Sequence, residues 1–311
     1  MTQNSSTRVF SVFAQFAKMA SIVLLLSILC ACSAARLAFN NGETVSYFWL
    51  NRYVDFDADQ KPWVKKEIAA LFSWHRQTQL KDYVQLLNHV RKQVESPVTE
   101  ADIARDEQEV RKRVQGMLER AAPSMAELAL SLQPRQIAHI EQRFAENNDK
   151  FKKENLHGDV ATQQQERYRK TLKQTEHWFG SLSREQEREI RMLSEARPLN
   201  NELVLADRME RQAEILRLLG RIEAEKPSRE AATALIRQHL ARMMNHEGNP
   251  ERKAWFEQYR VASIHMMANI INNTTAEQKR HFVQELQGWI DDFQRLQQPA
   301  TPGPSSVQRL E

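Results

Sequence analysis

The chain has 311 residues, of which 27% are charged and only eight are glycine; its net charge is +4 at neutral pH and its pI is near 9.0. Basic and acidic residues are mixed along the chain, which argues against the concentrated basic surface of a nucleic-acid binder. Glu, Gln, Arg, Leu and Ala dominate and no stretch alternates with period two, so the expected fold is all-α, an elongated antiparallel bundle of long helices without a sheet.

At the N-terminus, Arg8 and Lys18 precede an apolar run from Ala20 to Leu29, and no acidic residue falls before it. This is the layout of a secretory signal peptide. The run ends in Leu29-Cys30-Ala31-Cys32, which resembles the bacterial lipobox, with a leucine three before Cys32 and a small residue just before it. That resemblance implies cleavage before Cys32, with lipid on its thiol and on its new amino group. Cys30 fits less well, because bulky Leu29 would precede the cut. Two other readings stay open: an uncleaved anchor over Met19 to Ala35, at the lower edge of spanning length, and plain secretion. Ser33 stands where retention in the inner membrane usually calls for aspartate. By analogy the protein goes to the periplasmic face of the outer membrane, with the inner membrane as the alternative. Residues 1–31 are then a lipoprotein signal peptide, 32–297 a single helical periplasmic domain, and 298–311 a disordered tail rich in proline and serine. Cys30 and Cys32 are the two cysteines of the chain, so a processed and lipidated protein has no free thiol and no disulfide.

Further along, a short aromatic helix is expected over 43–54, and a long one over 58–93, bent near Thr78. Thr99 caps the next, which runs to about 121 and kinks or ends at Pro123, with a short helix to Ser131. Then follow 134–155, 160–179, 184–196, 199–224, 229–246, 251–272 and 276–297, separated at Gly158, Gly180, Pro198, Pro227 and Gly248-Asn249-Pro250. One helix start recurs four times, with a cap residue three positions before a glutamine: Asp57 and Gln60, Gln133 and Gln136, Ser183 and Gln186, Thr275 and Gln278. In a capping box the cap side chain accepts from an early helical N–H, while the glutamine reaches back to the cap's own N–H. The four copies are read equally well as an internal repeat or as independent good capping.

Two resemblances follow from these residues. Arg36-Leu37-Ala38-Phe39-Asn40-Asn41, Tyr47-Phe48-Trp49-Leu50-Asn51-Arg52-Tyr53, Phe56-Asp57, Gln60 and Trp74-His75-Arg76 resemble an uncharacterised family of proteobacterial lipoproteins. Asn51 stands where that family usually has aspartate, so no role for a carboxylate is carried over. The resemblance implies a location and a helical fold, and no activity. Leu182-Ser183-Arg184-Glu185-Gln186 is similar to the Leu-Thr-x-x-Gln motif of the Spy and CpxP periplasmic chaperones, which are helical, cradle-shaped and bind unfolded envelope proteins. Serine replaces the motif's threonine here, and only Thr275 among the four copies retains it.

Candidate site residues are few. Tyr47, Phe48, Trp49, Leu50, Tyr53, Val54 and Phe56 are expected to pack beneath the helix carrying Trp63, Ile68, Leu71, Phe72 and Trp74, with contact to the membrane interface as the other reading. His239, Met243 and His246 share a helix face, and Met244, His265, Met266 and Met267 are near in sequence; thioether and imidazole together form a plausible copper set. No Gly-x-Ser-x-Gly, His-Glu-x-x-His or phosphate-binding glycine loop occurs, so an enzyme is not expected and no cofactor is assigned. The expected function is that of a non-catalytic, lipid-anchored envelope protein presenting a helical surface to a protein partner, in a chaperone-like or scaffolding role. A copper-binding sensor is the alternative.

Overall fold

A computed structural model describes residues 34–245 and 248–297. Residues 1–33, with the expected signal segment and Cys32, residues 246 and 247, including His246, and the tail after 297 lie outside the described residues. Eleven helices and no strand are found among those described: α1 (Ala34–Val54), α2 (Gln60–Thr78), α3 (Leu80–Gln93), α4 (Glu100–Ser131), α5 (Pro134–Asn155), α6 (Val160–Phe179), α7 (Arg184–Ala196), α8 (Asn201–Glu225), α9 (Arg229–Met244), α10 (Pro250–Asn272) and α11 (Ala276–Gln297). They form an elongated all-α bundle. No helix among the described residues is long and apolar enough to cross a membrane.

Three boundaries differ from expectation. The first helix begins at Ala34, well before 43. The long helix expected over 58–93 is divided at Gln79, whose backbone stays in the helical region and whose N–H still bonds the carbonyl of His75. The third difference is physical. α4 continues through Pro123 to Ser131, although proline removes one helical hydrogen bond and crowds the turn before it. Packing supplies the reason: Ala122, Ala126 and Ala129 are buried against Ala232, Ile236 and Leu240 of α9. Small residues at this spacing let the two helices approach closely, and that contact holds the helix on both sides of the proline.

The four glutamine copies come together in two pairs. Gln60 and Gln136 exchange amide hydrogen bonds, 2.8 and 3.3 Å long, and Gln186 and Gln278 do the same at 2.8 and 3.0 Å. Each amide also donates to a carbonyl two residues before its partner's cap: Gln60 to Ser131, Gln136 to Asp55, Gln186 to Asn273 and Gln278 to Ser181. Each Oε1 in addition accepts the N–H of its own cap residue, Asp57, Gln133, Ser183 or Thr275. Helix contacts follow the same rule. The helix before the first cap packs on the helix after it (α1 on α2, α6 on α7) and on the helix after the second cap (α1 on α5, α6 on α11). The helix before the second cap packs on the helix after the first (α4 on α2, α10 on α7).

Four independent caps would not reproduce one bonding pattern twice, with the same residue offsets and the same helix partners. The copies are therefore an internal repeat, with one unit over residues 34–155 and the other over 160–297. Asp57 departs from the capping-box expectation. Its carboxylate accepts from Gln133 Nε2 at 3.1 Å and pairs with Arg135, and it does not cap the helix it precedes. Between their paired glutamines the units differ in length, 76 residues against 92: α3 alone lies between α2 and α4, whereas α8 and α9 lie between α7 and α10, and the α8–α9 hairpin packs on α4 and α5 of the first unit.

Tyr47, Val54 and Phe56 are buried with Val64 and Ile68, and Leu50, Tyr53, Trp63 and Phe72 pack around them. The expected aromatic core is thus present. Its exception is the outward face of α1, where Phe48 and Trp49 are 64% and 58% exposed. Gly42 lies directly over the ring of Phe72, where a Cβ would overlap it. Asn51, at the position where the resembled family has aspartate, accepts the N–H of Phe56 at 3.1 Å and so shapes the turn out of α1.

Candidate binding site

Between α2, α4, α8 and α9 lies a cavity of about 370 Å³. All but four of its lining residues are apolar; the four are Glu67, Arg120, Ser124 and His239. The sequence builds it from two helix stripes. On α2 the core-facing positions run Val64, Ile68 and Leu71, with Glu67 on the same face; on α4 they run Ala121, Met125, Leu128 and Leu132, with Ser124 among them. Glu67 and Ser124 meet across the two helices in a 2.6 Å hydrogen bond. Neither polar group is left without a partner in its apolar surroundings, as such groups require. Arg120 is exposed, with its guanidinium 6.0 Å from the centre of the Trp74 ring.

His239 is the chemically open member. Its Nε2 is buried and bonds to no protein atom among the described residues. Its Nδ1 faces Glu214 at 3.9 Å. Burial holds its pKa below the ordinary imidazole value of 6.5, against the attraction of Glu214 and with the aid of Arg242. The ring is therefore neutral at physiological pH and offers either a donor or an acceptor. Beyond it runs a second, polar groove between α8 and α9, of about 410 Å³, lined by Arg217, Arg221, Arg242 and Glu214. Leu218 and His239 line both spaces.

The structure gathers part of the copper set. His239 and Met243 both line the apolar cavity. His246 is outside the described residues, and His265 is held elsewhere, by Glu100 at 2.6 Å. Met266 is buried in α10 and Met267 is exposed on it. Among the described residues there is no group of three or more His, Cys, Asp or Glu side chains that could hold a metal ion. His75 bonds the hydroxyl of Tyr83 at 2.9 Å, which joins α2 to α3, and burial also lowers its pKa from 6.5.

Sequence reasoning had missed Glu67, Arg120 and Ser124. The available signal was a charged or hydroxyl side chain at core-facing helical spacing, between Val64 and Ile68 or between Ala121 and Leu128.

What this fold defines is a class by architecture: an all-helical bundle made of two glutamine-locked units, with an apolar cavity in one of them. Residues 52–260, about two thirds of the chain, match a family of unknown function (DUF6279), and the chain belongs to that family. No curated protein and no solved structure matches it.

Proposed function

We propose that this is a non-catalytic lipoprotein of the bacterial cell envelope, tethered through Cys32 to the periplasmic face of the outer membrane. Its helical body binds another envelope component, whose apolar part is buried in the cavity. The observation that carries the binding reading is the cavity itself. The space opens to solvent, so its hydrocarbon lining stands against water, and a guest that covers that lining gains about 25 cal/mol for each Å² of apolar surface removed from water. Its size and its nearly apolar lining with a few polar groups match ligand sites of roughly 300–1,000 Å³.

A protein partner, held in a chaperone-like or scaffolding way, is supported by the likeness of the capping motifs to those of the Spy and CpxP chaperones. Two experiments test the proposal. Palmitate labelling in a bacterial host should mark the wild type and not Cys32→Ser, with the label in the outer-membrane fraction; unlabelled wild type defeats the tether. The purified full chain should suppress light scattering by an unfolding model protein at equimolar ratio. No suppression by the wild type counts against a protein client.

A further inference from the structure

The apolar cavity and the arginine groove share a wall, and the chemistry differs sharply on its two sides. On one side the lining is hydrocarbon. On the other, Arg217, Arg221 and Arg242 face a single lining carboxylate, Glu214, which Arg242 already pairs at 3.5 Å. Arg221 is held by Glu225 at 3.1 Å, and Arg217 is exposed with no carboxylate partner among the described residues. Between the two spaces stands His239, with one ring nitrogen toward Glu214 and the other buried without a bond.

We propose that the two spaces form one site for an acyl chain of an anionic amphiphile, with the tail in the cavity and the acid group in the arginine groove. This rests on the cavity being a binding site and names its guest. Three features select that class. The cavity, of about 370 Å³ and lined by hydrocarbon, lies within the size range of small-ligand sites and suits an alkyl chain. Apart from Arg120 and His239, the polar groups of the lining are Glu67 and Ser124, which bond each other. The guanidiniums supply charge-assisted donors for a carboxylate or phosphate. The buried Nε2 of His239, at the junction, is placed to meet a polar atom where tail and head join. A peptide segment would bring several backbone N–H and C=O groups into a lining that is almost wholly hydrocarbon.

The chain can come from a free fatty acid or from a membrane phospholipid, and photolabelling separates these sources. Palmitic acid carrying a mid-chain diazirine, palmityl alcohol with the same diazirine, and phosphatidylglycerol with one such chain are each irradiated with the full-length protein in nonionic detergent. Peptide mass spectrometry then locates the label. The expected result is acid label on α2, α4 and α9, reduced by about tenfold in Arg217→Gln/Arg221→Gln, as loss of a charged hydrogen bond implies. The alcohol should label less and be indifferent to that double variant, which alters only exposed side chains. Label from phosphatidylglycerol at the same peptides assigns the chain to a membrane lipid, and label from the acid alone assigns it to a free fatty acid. Equal labelling of the cavity by acid and alcohol, unchanged by the double variant, overturns the anionic-head inference and leaves the cavity reading standing. Absence of cavity label with all three probes overturns both.

Discussion

The two repeat units carry the same lock and diverge beneath it. Next to Gln60 and Gln136 the bundle encloses a cavity of about 370 Å³; next to Gln186 and Gln278, the gap at the corresponding place is about 10 Å³. The residues at equal distance from the glutamines show why. Seven before the second glutamine stands Ala129 in the first unit and Ile271 in the second; seven after the first glutamine stands Glu67 in one and Leu193 in the other. Both members of each pair are core-facing. The second unit thus fills with aliphatic carbon what the first leaves open. The α8–α9 hairpin of the second unit packs on the first and supplies the far wall, including His239. A scaffold that can be packed shut in one half does not require a void in the other. This is the structural ground for reading the cavity as a site.

Breaking the locks should give the largest effects. Gln136 is fully buried, and Gln136→Ala strips partners from Gln60, from the carbonyl of Asp55 and from the N–H of Gln133; we expect a loss of about 2–4 kcal/mol in urea unfolding. Gln278→Ala should cost about the same, and the Gln60→Ala/Gln136→Ala cycle should be non-additive by about 1–2 kcal/mol. A loss under half a kcal/mol in either single variant would show that the pairs do not lock the units.

Next in size are exchanges of volume between the halves. Ile271→Ala, which opens the closed unit, should destabilise by about 2–4 kcal/mol. Ala129→Ile, which partly fills the open one, should cost less than the same change at a position that does not line the cavity, because part of the added carbon enters the open space. Ala126→Ile is the control, since Ala126 is fully buried against α9 but does not line the cavity; overpacking there should cost about 1–3 kcal/mol. Equal penalties for Ala129→Ile and Ala126→Ile would mean that the void is not accessible to a side chain at position 129.

The smallest effect concerns pH. His75 and His239 both have folded pKa values below 6.5, so the unfolded chain takes up their protons first as pH falls. Their contribution to stability is complete above about pH 6.5 and is lost as pH drops from there through the folded values. Melting temperature should therefore decline between pH 7 and pH 5, and His239→Gln should flatten part of that decline. A variant whose pH profile superimposes on the wild type would remove His239 from this account.

Much of this fold was legible in the residues. Ser183 with Gln186, and Thr275 with Gln278, announced helix starts that the structure keeps with both halves of the capping box. Their pairing was not legible, because a capping box is local, whereas the amide bonds join residues 76 and 92 positions apart. Pro123 was misjudged for a similar reason: proline's effect is local and the alanine contact that overrides it is tertiary. Of the site, His239 and Met243 were marked, but for soft-metal chemistry, from their shared face. The cavity beside them depends on which helices meet, and no single helix's periodicity contains that.

The claim on which the account rests is that the open half takes up an apolar guest. Equilibrium titration of the full chain with N-phenyl-1-naphthylamine, a neutral apolar fluorophore, tests it without reference to charge. The account predicts saturable one-to-one uptake by the wild type and weaker uptake by Ala129→Ile, and no such weakening in Ala126→Ile, which does not line the cavity. Equal uptake by the wild type and Ala129→Ile, or none by the wild type, would contradict it.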